Sequence, residues 1–274
     1  MTANSLHRSV PSSRHYEMND WAKRNFVYNA VQSRILDGSI PLGSRVFEPA
    51  LAKELGVSRT PVREALVRLV HEGIAEKIPN EGIYVKKPSR VDLLEIFEMR
   101  ILMESYAVEL AVDRALPQHL NQMEQSCLIL RQMIVDLRTP GERPPLLQRR
   151  HLALHKAEMG FHLAIVAAAR HACLASVVSN IQVLSRVLSA TPCTEETFGM
   201  AELSVTYLGH RRILRHIKRK DARRAVVEMR KHLQLGLDSV LKDFDLNERQ
   251  NSADAAMESL REVEYLLRDI NSGE

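Results

Sequence analysis

Three histidines and one glutamate occur at positions where a helical bundle would gather them. Glu158 and His162 are four residues apart on a predicted helix and therefore share one of its faces. His210 and His232 each lie in the apolar stripe of a later predicted helix. Burying several ionisable groups without partners is costly, and one divalent cation would satisfy all four. Neutral imidazole suits zinc, nickel, copper or iron, and the carboxylate extends the choice to manganese.

The same four residues are also compatible with a polar core or with an enzyme site. A histidine on an apolar helix face is commonly a hydrogen-bonded core residue, so spacing alone leaves a metal centre and a polar core as alternatives. A four-ligand metal site could also support hydrolytic chemistry, as in a helical-bundle metalloenzyme. The sequence places no further base or nucleophile beside these residues, so we assign no catalytic residue and expect no enzyme.

A second group of residues lies at the start of a short predicted helix that follows a turn at Gly56. Its leading end carries Ser58, Arg59, Thr60 and Arg63, and its inner side is apolar. Arginine can donate two hydrogen bonds to the major-groove edge of guanine. A helix, a tight turn and a second helix with a basic start are the parts with which helix-turn-helix proteins enter the major groove.

A short hairpin follows this helix. Two extended segments flank the turn at 79–82, where Asn80 and Gly82 would approach the DNA backbone or the minor groove. An amphipathic helical hairpin with a solvated basic face is the alternative interpretation. The preceding helix, the glycine turn, the basic helix start and the hairpin occur together, and this combination favours binding to double-stranded DNA.

The elements that must position both groups are mostly helices. We expect a mainly α fold, in which an N-terminal winged helix-turn-helix domain with a small β-hairpin precedes an all-α helical bundle. Proline and glycine at 141–145 and Pro192 predict breaks within the bundle, and a further break is expected between residues 245 and 252. The expected boundaries are a flexible tail at 1–20, the winged helix at 21–87, the bundle at 88–245 and an additional C-terminal helix at 246–274.

Composition and charge are compatible with a DNA-binding protein but do not demand one. The net charge of +4 over 274 residues suits a polyanionic partner only weakly. Cys127, Cys173 and Cys193 form no CxxC pair, which indicates a reducing compartment. The first 24 residues lack the apolar region of a signal peptide, and no segment is long and apolar enough to span a bilayer. We therefore expect a cytoplasmic protein with no membrane partner.

The segment from Ile35 to Val85 closely resembles the winged-helix domain of the GntR family of bacterial transcription regulators. The match centres on residues 55–66, which read LGVSRTPVREAL. The resemblance implies that Arg59 and Arg63 read bases in the major groove and that the hairpin, or wing, enters the minor groove.

Two residues depart from the family pattern. Pro49 stands where a polar contact is usual, and Glu81 stands at the wing tip where the family usually has arginine or lysine. A carboxylate repels phosphate, so the contact made by the wing or the preferred DNA site is expected to differ.

Residues 90–240 resemble the FCD ligand-sensing domain of the FadR subfamily. The signals are Met99-Arg100 with Glu104 one turn later, the pair Phe161-His162, and His210 followed 22 residues later by His232. The resemblance implies a divalent cation (zinc, nickel or manganese) bound by four side chains, with glutamate where the family usually has aspartate. These are Glu158, His162, His210 and His232.

The effectors of that subfamily are commonly small organic acids that bind at or beside the metal. Arg100 would then bind the effector carboxylate as a fork. An internal ion pair between Arg100 and Glu104 is the alternative.

The two resemblances together imply a homodimeric, metabolite-responsive regulator. We expect it to be a repressor that binds a palindromic operator with two half-sites. Two alternatives remain: a helical-bundle metalloenzyme fused to a DNA-targeting module, and a regulator whose metal site is purely structural or lost.

Overall fold

The computed structural model describes residues 19–137, 145–189 and 200–271. Residues 1–18 of the predicted tail, most of the predicted break at 141–145 and the predicted break at Pro192 lie outside these ranges. The helices are α1 (Asp20–Leu36), α2 (Glu48–Leu55), α3 (Arg59–His71), α4 (Arg90–Arg114), α5 (Pro117–Asp136), α6 (Pro145–Ala168), α7 (Ala172–Leu188), α8 (Met200–Lys218) and α9 (Ala222–Asn271). The strands are β1 (Arg45–Val46), β2 (Ala75–Ile78) and β3 (Gly82–Val85).

The first three helices and the three strands form the winged helix that the sequence predicts. The sheet is antiparallel in the order β1-β3-β2, with Arg45 of β1 opposite Tyr84 of β3. Gly56 ends α2 in the left-handed conformation, at φ 65°, which glycine adopts without steric cost. The chain can therefore turn directly into α3, which buries Val62 and Leu66 against the domain core.

Helices α4 to α9 form the helical bundle. Its largest buried cluster takes side chains from several helices, among them Val108 of α4, Phe161 of α6, Ile213 of α8 and Met229 of α9, all fully inaccessible to solvent. Burial of large apolar side chains is the main stabilising contribution in such a bundle, at roughly 1.5–3 kcal/mol each. The polar site described below lies within this packing.

The C-terminal helix corrects one prediction. The expected break between residues 245 and 252 is absent, because α9 is one helix of 50 residues. No glycine or proline occurs between Gly236 and residue 271, and the Ser252 hydroxyl donates back to the carbonyl oxygen of Glu248 instead of capping a new helix. A polar, charged run without a helix-breaking residue continues a helix rather than ending it.

Helix α7 contributes to the cores of both domains. Val178, in its first half, is buried in the bundle cluster. Val187, near its end, is 1% exposed and belongs to the winged-helix core, against which Val183 and Leu184 also pack. The two domains therefore share a helix as well as the linker that joins them.

The outward face of α4 remains apolar. Met99 is 43% exposed, Leu102 64% and Tyr106 48%, and their spacing places them along one side of the helix. Within the described residues, no helix is both long enough and apolar enough to cross a membrane.

Candidate metal centre and nucleic-acid interface

Three histidine side chains meet inside the bundle. His162 of α6, His210 of α8 and His232 of α9 each offer a ring nitrogen, and these atoms lie within 4.8 Å of one another. All three residues are buried, and Nε2 of His162 lies 3.1 Å from Nε2 of His232. Two nitrogens bound to one tetrahedral zinc ion at 2.0–2.1 Å would be roughly 3.3 Å apart. The observed spacing is therefore close to the one that a shared cation requires.

His210 is the member that a packed polar core explains least well. Its ring stacks on Phe161 with centroids 3.8 Å apart, yet neither ring nitrogen has a hydrogen-bond partner among the described residues. Burial and the neighbouring His232 lower the pKa of His210 well below its ordinary value of 6.5. A neutral imidazole offers a lone pair that a metal ion can bind. A buried polar atom without a partner costs about 1–3 kcal/mol, and a metal–ligand bond would remove that cost.

His232 is also held neutral. Burial, followed by the effect of His162, lowers the pKa of His232 to about 4. Its approach depends on a glycine in the facing helix, because a Cβ atom at Gly209 would lie 2.7 Å from Nδ1 of His232. Only glycine at position 209 lets the His232 ring lie against α8 in this position.

His162 is oriented by a carboxylate. Its Nδ1 hydrogen-bonds Oε2 of Glu104, which is 1% exposed. Burial alone would raise the pKa of Glu104, but His162 and Arg100 outweigh it and lower the pKa to about 2. An ionised Glu104 accepts a hydrogen bond from Nδ1–H of His162, which turns Nε2 towards the other histidines. A carboxylate behind a histidine is the usual outer support of a metal-binding imidazole.

Glu158, the fourth predicted ligand, is not part of the cluster as the structure shows it. The group of ligand atoms within 4.8 Å of one another comprises the three histidines and leaves out the Glu158 carboxylate. That carboxylate still lies within electrostatic range of the site. Burial would raise its pKa, but the charges of His162 and Arg186 lower the pKa to about 2. Glu158 is thus an ionised neighbour of the histidines, one helical turn before His162.

Arg100 forms the internal ion pair that the sequence left as an alternative. Its Nε donates to Oε1 of Glu104 at 2.9 Å, and its Nη1 donates to Oγ of Ser185 at 3.1 Å. Gln182 donates to the same Glu104 oxygen at 2.6 Å. Sequence reasoning missed Gln182, Ser185 and Arg186. Their signal was three polar side chains within about one turn on the same face of helix α7.

The predicted DNA-reading residues lie together on the outer side of α3. Ser58 is the N-cap residue of this helix, and Arg59 and Thr60 follow it on the exposed surface. The Arg63 side chain is 69% exposed, and its Nε lies 3.3 Å from Oε2 of Glu48. An exposed ion pair of this kind contributes little to stability, so Arg63 can exchange it for a DNA contact at small cost.

The wing places Asn80 and Gly82 at its tip, at φ 65° and 121°. The carboxylate of Glu81, which departs from the family pattern, accepts a hydrogen bond from the Tyr84 hydroxyl at 3.3 Å. Arg45 of β1 lies over the same turn, since a Cβ atom at Gly82 would meet its Nε at 3.2 Å. A cation therefore lies beside the acidic tip, although local sequence patterns did not place it there.

Comparison with known proteins agrees with both halves of this architecture. The model of bacterial regulatory proteins of the gntR family matches residues 23–85, and the FCD domain model matches residues 95–235. The solved structure of E. coli McbR/YncC superposes with a TM-score of 0.67 at 23% identity, covering 81% of this chain and 98% of that one. That likeness establishes a shared fold.

Two curated relatives match over about a third of this chain. The HTH-type transcriptional regulator YdhC of Bacillus subtilis is 36% identical over 98 residues, which are 36% of this chain and 44% of that protein. The HTH-type transcriptional regulator McbR of Escherichia coli K12 is 35% identical over 99 residues, which are 36% of this chain and 45% of that protein. The matched stretch thus spans somewhat less than half the length of these relatives.

The matching family model and these relatives are those of transcription regulators, which sets aside the metalloenzyme alternative. A gntR-type winged helix and an FCD domain account together for most of the chain. The chain therefore belongs to the GntR family of bacterial transcription regulators and, through its FCD domain, to the FadR subfamily.

Proposed function

We propose that this regulator is a cytoplasmic, homodimeric repressor that senses a small organic acid through a metal ion in its helical bundle. The observation that carries the proposal is His210, a fully buried imidazole whose two nitrogens have no partner in the described ranges and lie beside two other histidines. A core histidine without a function would be expected to have a hydrogen-bond partner. The chemistry of three buried imidazoles supports zinc, nickel or manganese as the ion.

His162, His210 and His232 would hold the ion, and Glu158 would be available as a further ligand. When bound, the metal supplies a positive centre to which an acidic group of the effector can bind. The residues around the histidines would fix the geometry of the site. Glu104 orients His162, and Arg100 and Gln182 hold Glu104 in place through hydrogen bonds. Such supporting hydrogen bonds commonly change metal affinity by about 10- to 100-fold.

DNA binding is assigned to Ser58, Arg59, Thr60 and Arg63 of the recognition helix, with Asn80 and Gly82 at the wing. The exposure of Asn80 and of the four residues of the recognition helix supports this role. Arg45 would add positive charge beside the wing tip.

A homodimer is supported by the apolar outer face of α4. Met99, Leu102 and Tyr106 form a continuous exposed stripe that a second copy of the chain would cover. A dimer with twofold symmetry matches a palindromic operator, because each recognition helix then meets an equivalent half-site.

Helix α7 offers the route from effector to DNA. Gln182 and Ser185 contact the Glu104–Arg100 pair, whereas Val183, Leu184 and Val187 on the opposite face pack into the winged-helix core. An effector that displaces the polar residues of α7 would also displace its apolar residues in the winged-helix core. The effector controls DNA binding only if its affinity differs between the DNA-binding arrangement of the dimer and the other arrangement.

Metal analysis of two matched histidine variants tests the proposal. His210→Gln removes a proposed ligand, whereas His216→Gln changes another buried histidine of α8 that lies outside the three-histidine group. We expect about one equivalent of metal in wild type and in His216→Gln, and a large loss in His210→Gln.

Operator binding is measured in parallel, on DNA selected from a random pool by the purified protein. We expect a palindromic site and release by a small acid only in the metal-loaded protein. Two results would contradict the proposal. Wild-type protein that contains no metal would favour a lost site, and release of the operator by the acid that does not change when metal is removed would favour a purely structural one.

A further inference from the structure

Arg186 carries a guanidinium group that the described part of the chain does not use. Both its Nε and its Nη1 are buried and have no hydrogen-bond partner among the described residues. Guanidinium nitrogens are obligate donors that are nearly always paired when they are buried. Two donors without an acceptor on one side chain are free to bind an acidic group that is not among the described residues, such as that of a ligand.

The surroundings of Arg186 connect it to the histidine site. Burial is the main cause that lowers its pKa, to about 10, while Glu158 opposes that shift and Arg100 adds to it. Arg186 is therefore charged at neutral pH and lies within electrostatic range of both residues. In the described part of the chain it forms no ion pair within 4.0 Å, even with Glu158.

The other arginine of the site is already occupied. Arg100 donates through Nε to Glu104 and through Nη1 to Ser185. The corresponding two donors of Arg186, one residue beyond Ser185 on the same helix, have no acceptor within the described ranges. Of the two guanidinium groups, Arg186 is the one able to bind a ligand without breaking an existing pair.

The charges of the site indicate how acidic that ligand is. Arg186 has two buried donors without an acceptor in the described ranges, and the three histidines beside it would hold the proposed cation. Each of these two places carries positive charge that an anionic group of the ligand would balance. Net charge in a buried site is costly, so a ligand with two negative charges fits best.

We propose that Arg186 binds one acidic group of the effector, and that the effector is a small acid with two anionic groups, the second lying at the histidine site. This inference rests on the proposed function for the metal. It moves the anion-binding role, which the family resemblance assigned to Arg100, to a residue of α7. The ligand would then bind directly to the helix that packs into the winged-helix core.

Calorimetry on the zinc-loaded full chain tests the proposal with malonate, which has two carboxylates, and acetate, which has one. Wild type should bind malonate at least about tenfold more tightly than acetate. Arg186→Met should lower malonate affinity about 10- to 100-fold, the usual loss for a charge-assisted pair, and change acetate affinity less than about threefold. Arg186→Lys should recover part of the loss.

Arg223→Met is the matched control, because it removes the same charge from an exposed position at the start of α9. It should bind both probes as wild type does. Equal affinity of wild type for malonate and acetate, or an equal loss of both in Arg186→Met, would overturn the proposal.

A ligand-free measurement separates a binding role from a structural one. Removing an unpaired buried charge should leave the melting temperature of Arg186→Met equal to or above that of wild type. A clearly lower melting temperature with unchanged malonate binding would show that Arg186 serves the fold and would refute the proposal. Zinc content and binding to the selected operator report on the proposed function independently, and both should be unchanged in Arg186→Met without ligand.

Discussion

Replacement of Gly209 by alanine should disrupt the histidine site without touching a metal-binding side chain. The added Cβ would lie 2.7 Å from Nδ1 of His232, whereas ordinary contact begins at 3.4 Å. The ring or the backbone must therefore move by about 0.7 Å to restore ordinary contact, the difference between these distances. Metal–ligand distances tolerate about 0.2 Å, so we expect metal affinity to fall at least about tenfold.

The same clash should lower stability. Overpacking a buried site lowers the free energy of unfolding by about 1–3 kcal/mol. The change from glycine to alanine in a helix raises it by about 0.5–1 kcal/mol. A net loss of roughly 0.5–2 kcal/mol should appear in urea unfolding of the metal-free protein. Metal affinity is measured by competition with a chromogenic chelator.

Gly236→Ala supplies the control for both measurements. Gly236 lies one turn after His232 in α9, and a Cβ there would meet Cε1 of Phe97 at 3.5 Å, an ordinary contact distance. Gly236→Ala should keep metal affinity and gain slightly in stability. If Gly209→Ala matched Gly236→Ala in metal affinity, the close approach of His232 to α8 would have no role in the site.

Three further outcomes are expected. Arg59→Ala and Arg63→Ala should each weaken binding to the selected operator by about 1–3 kcal/mol in fluorescence anisotropy, with the dimer intact by sedimentation; unchanged discrimination against a scrambled site would contradict the assignment of these residues. Asp92 has its pKa lowered from 3.8 to about 2, since hydrogen bonds from Lys86 and Ser89 outweigh its burial. Ionised Asp92 thus stabilises the folded state above pH 3.8, and this stabilisation is lost as the pH falls towards 2. Asp92→Asn should lower the free energy of unfolding by about 1 kcal/mol or less at pH 7, and this free energy should then fall less steeply at acid pH. Val187→Ala should cost about 1.5–3 kcal/mol by thermal unfolding and weaken the effector response of DNA binding, whereas the half-exposed Val177→Ala in the same helix should do neither.

Local patterns in the sequence predicted the winged helix and the helices of the bundle. Residues 55–66 carry a glycine turn, an N-cap and an apolar stripe. Each of these signals depends only on residues a few positions apart, so it can be read from the sequence. The three histidines were also identifiable, because each lies in the buried stripe of its own helix. β1 was missed since two residues become a strand only through pairing with β3, some 38 residues away.

The finer structure of the site was beyond sequence reasoning for a related physical reason. The bond between His162 and Glu104 joins residues 58 positions apart, and that between Gln182 and Glu104 joins residues 78 apart. Such pairs depend on how helices pack, which local spacing does not encode. The idle donors of Arg186 are likewise visible only once its surroundings are known.

The shared helix α7 limits how freely the two halves of this regulator can be exchanged between relatives. Gly73, at the end of the turn after α3, lies where a Cβ would meet Leu184 of α7 at 3.8 Å, and Val187 is almost fully enclosed by the winged-helix core. A chimera that joins this winged helix to a foreign bundle at the linker would leave that apolar surface uncovered. A chimera that also transfers the surface residues of α7 would cover it. The boundary between the DNA-binding and the ligand-binding module therefore lies between the two faces of α7 and not only at the linker.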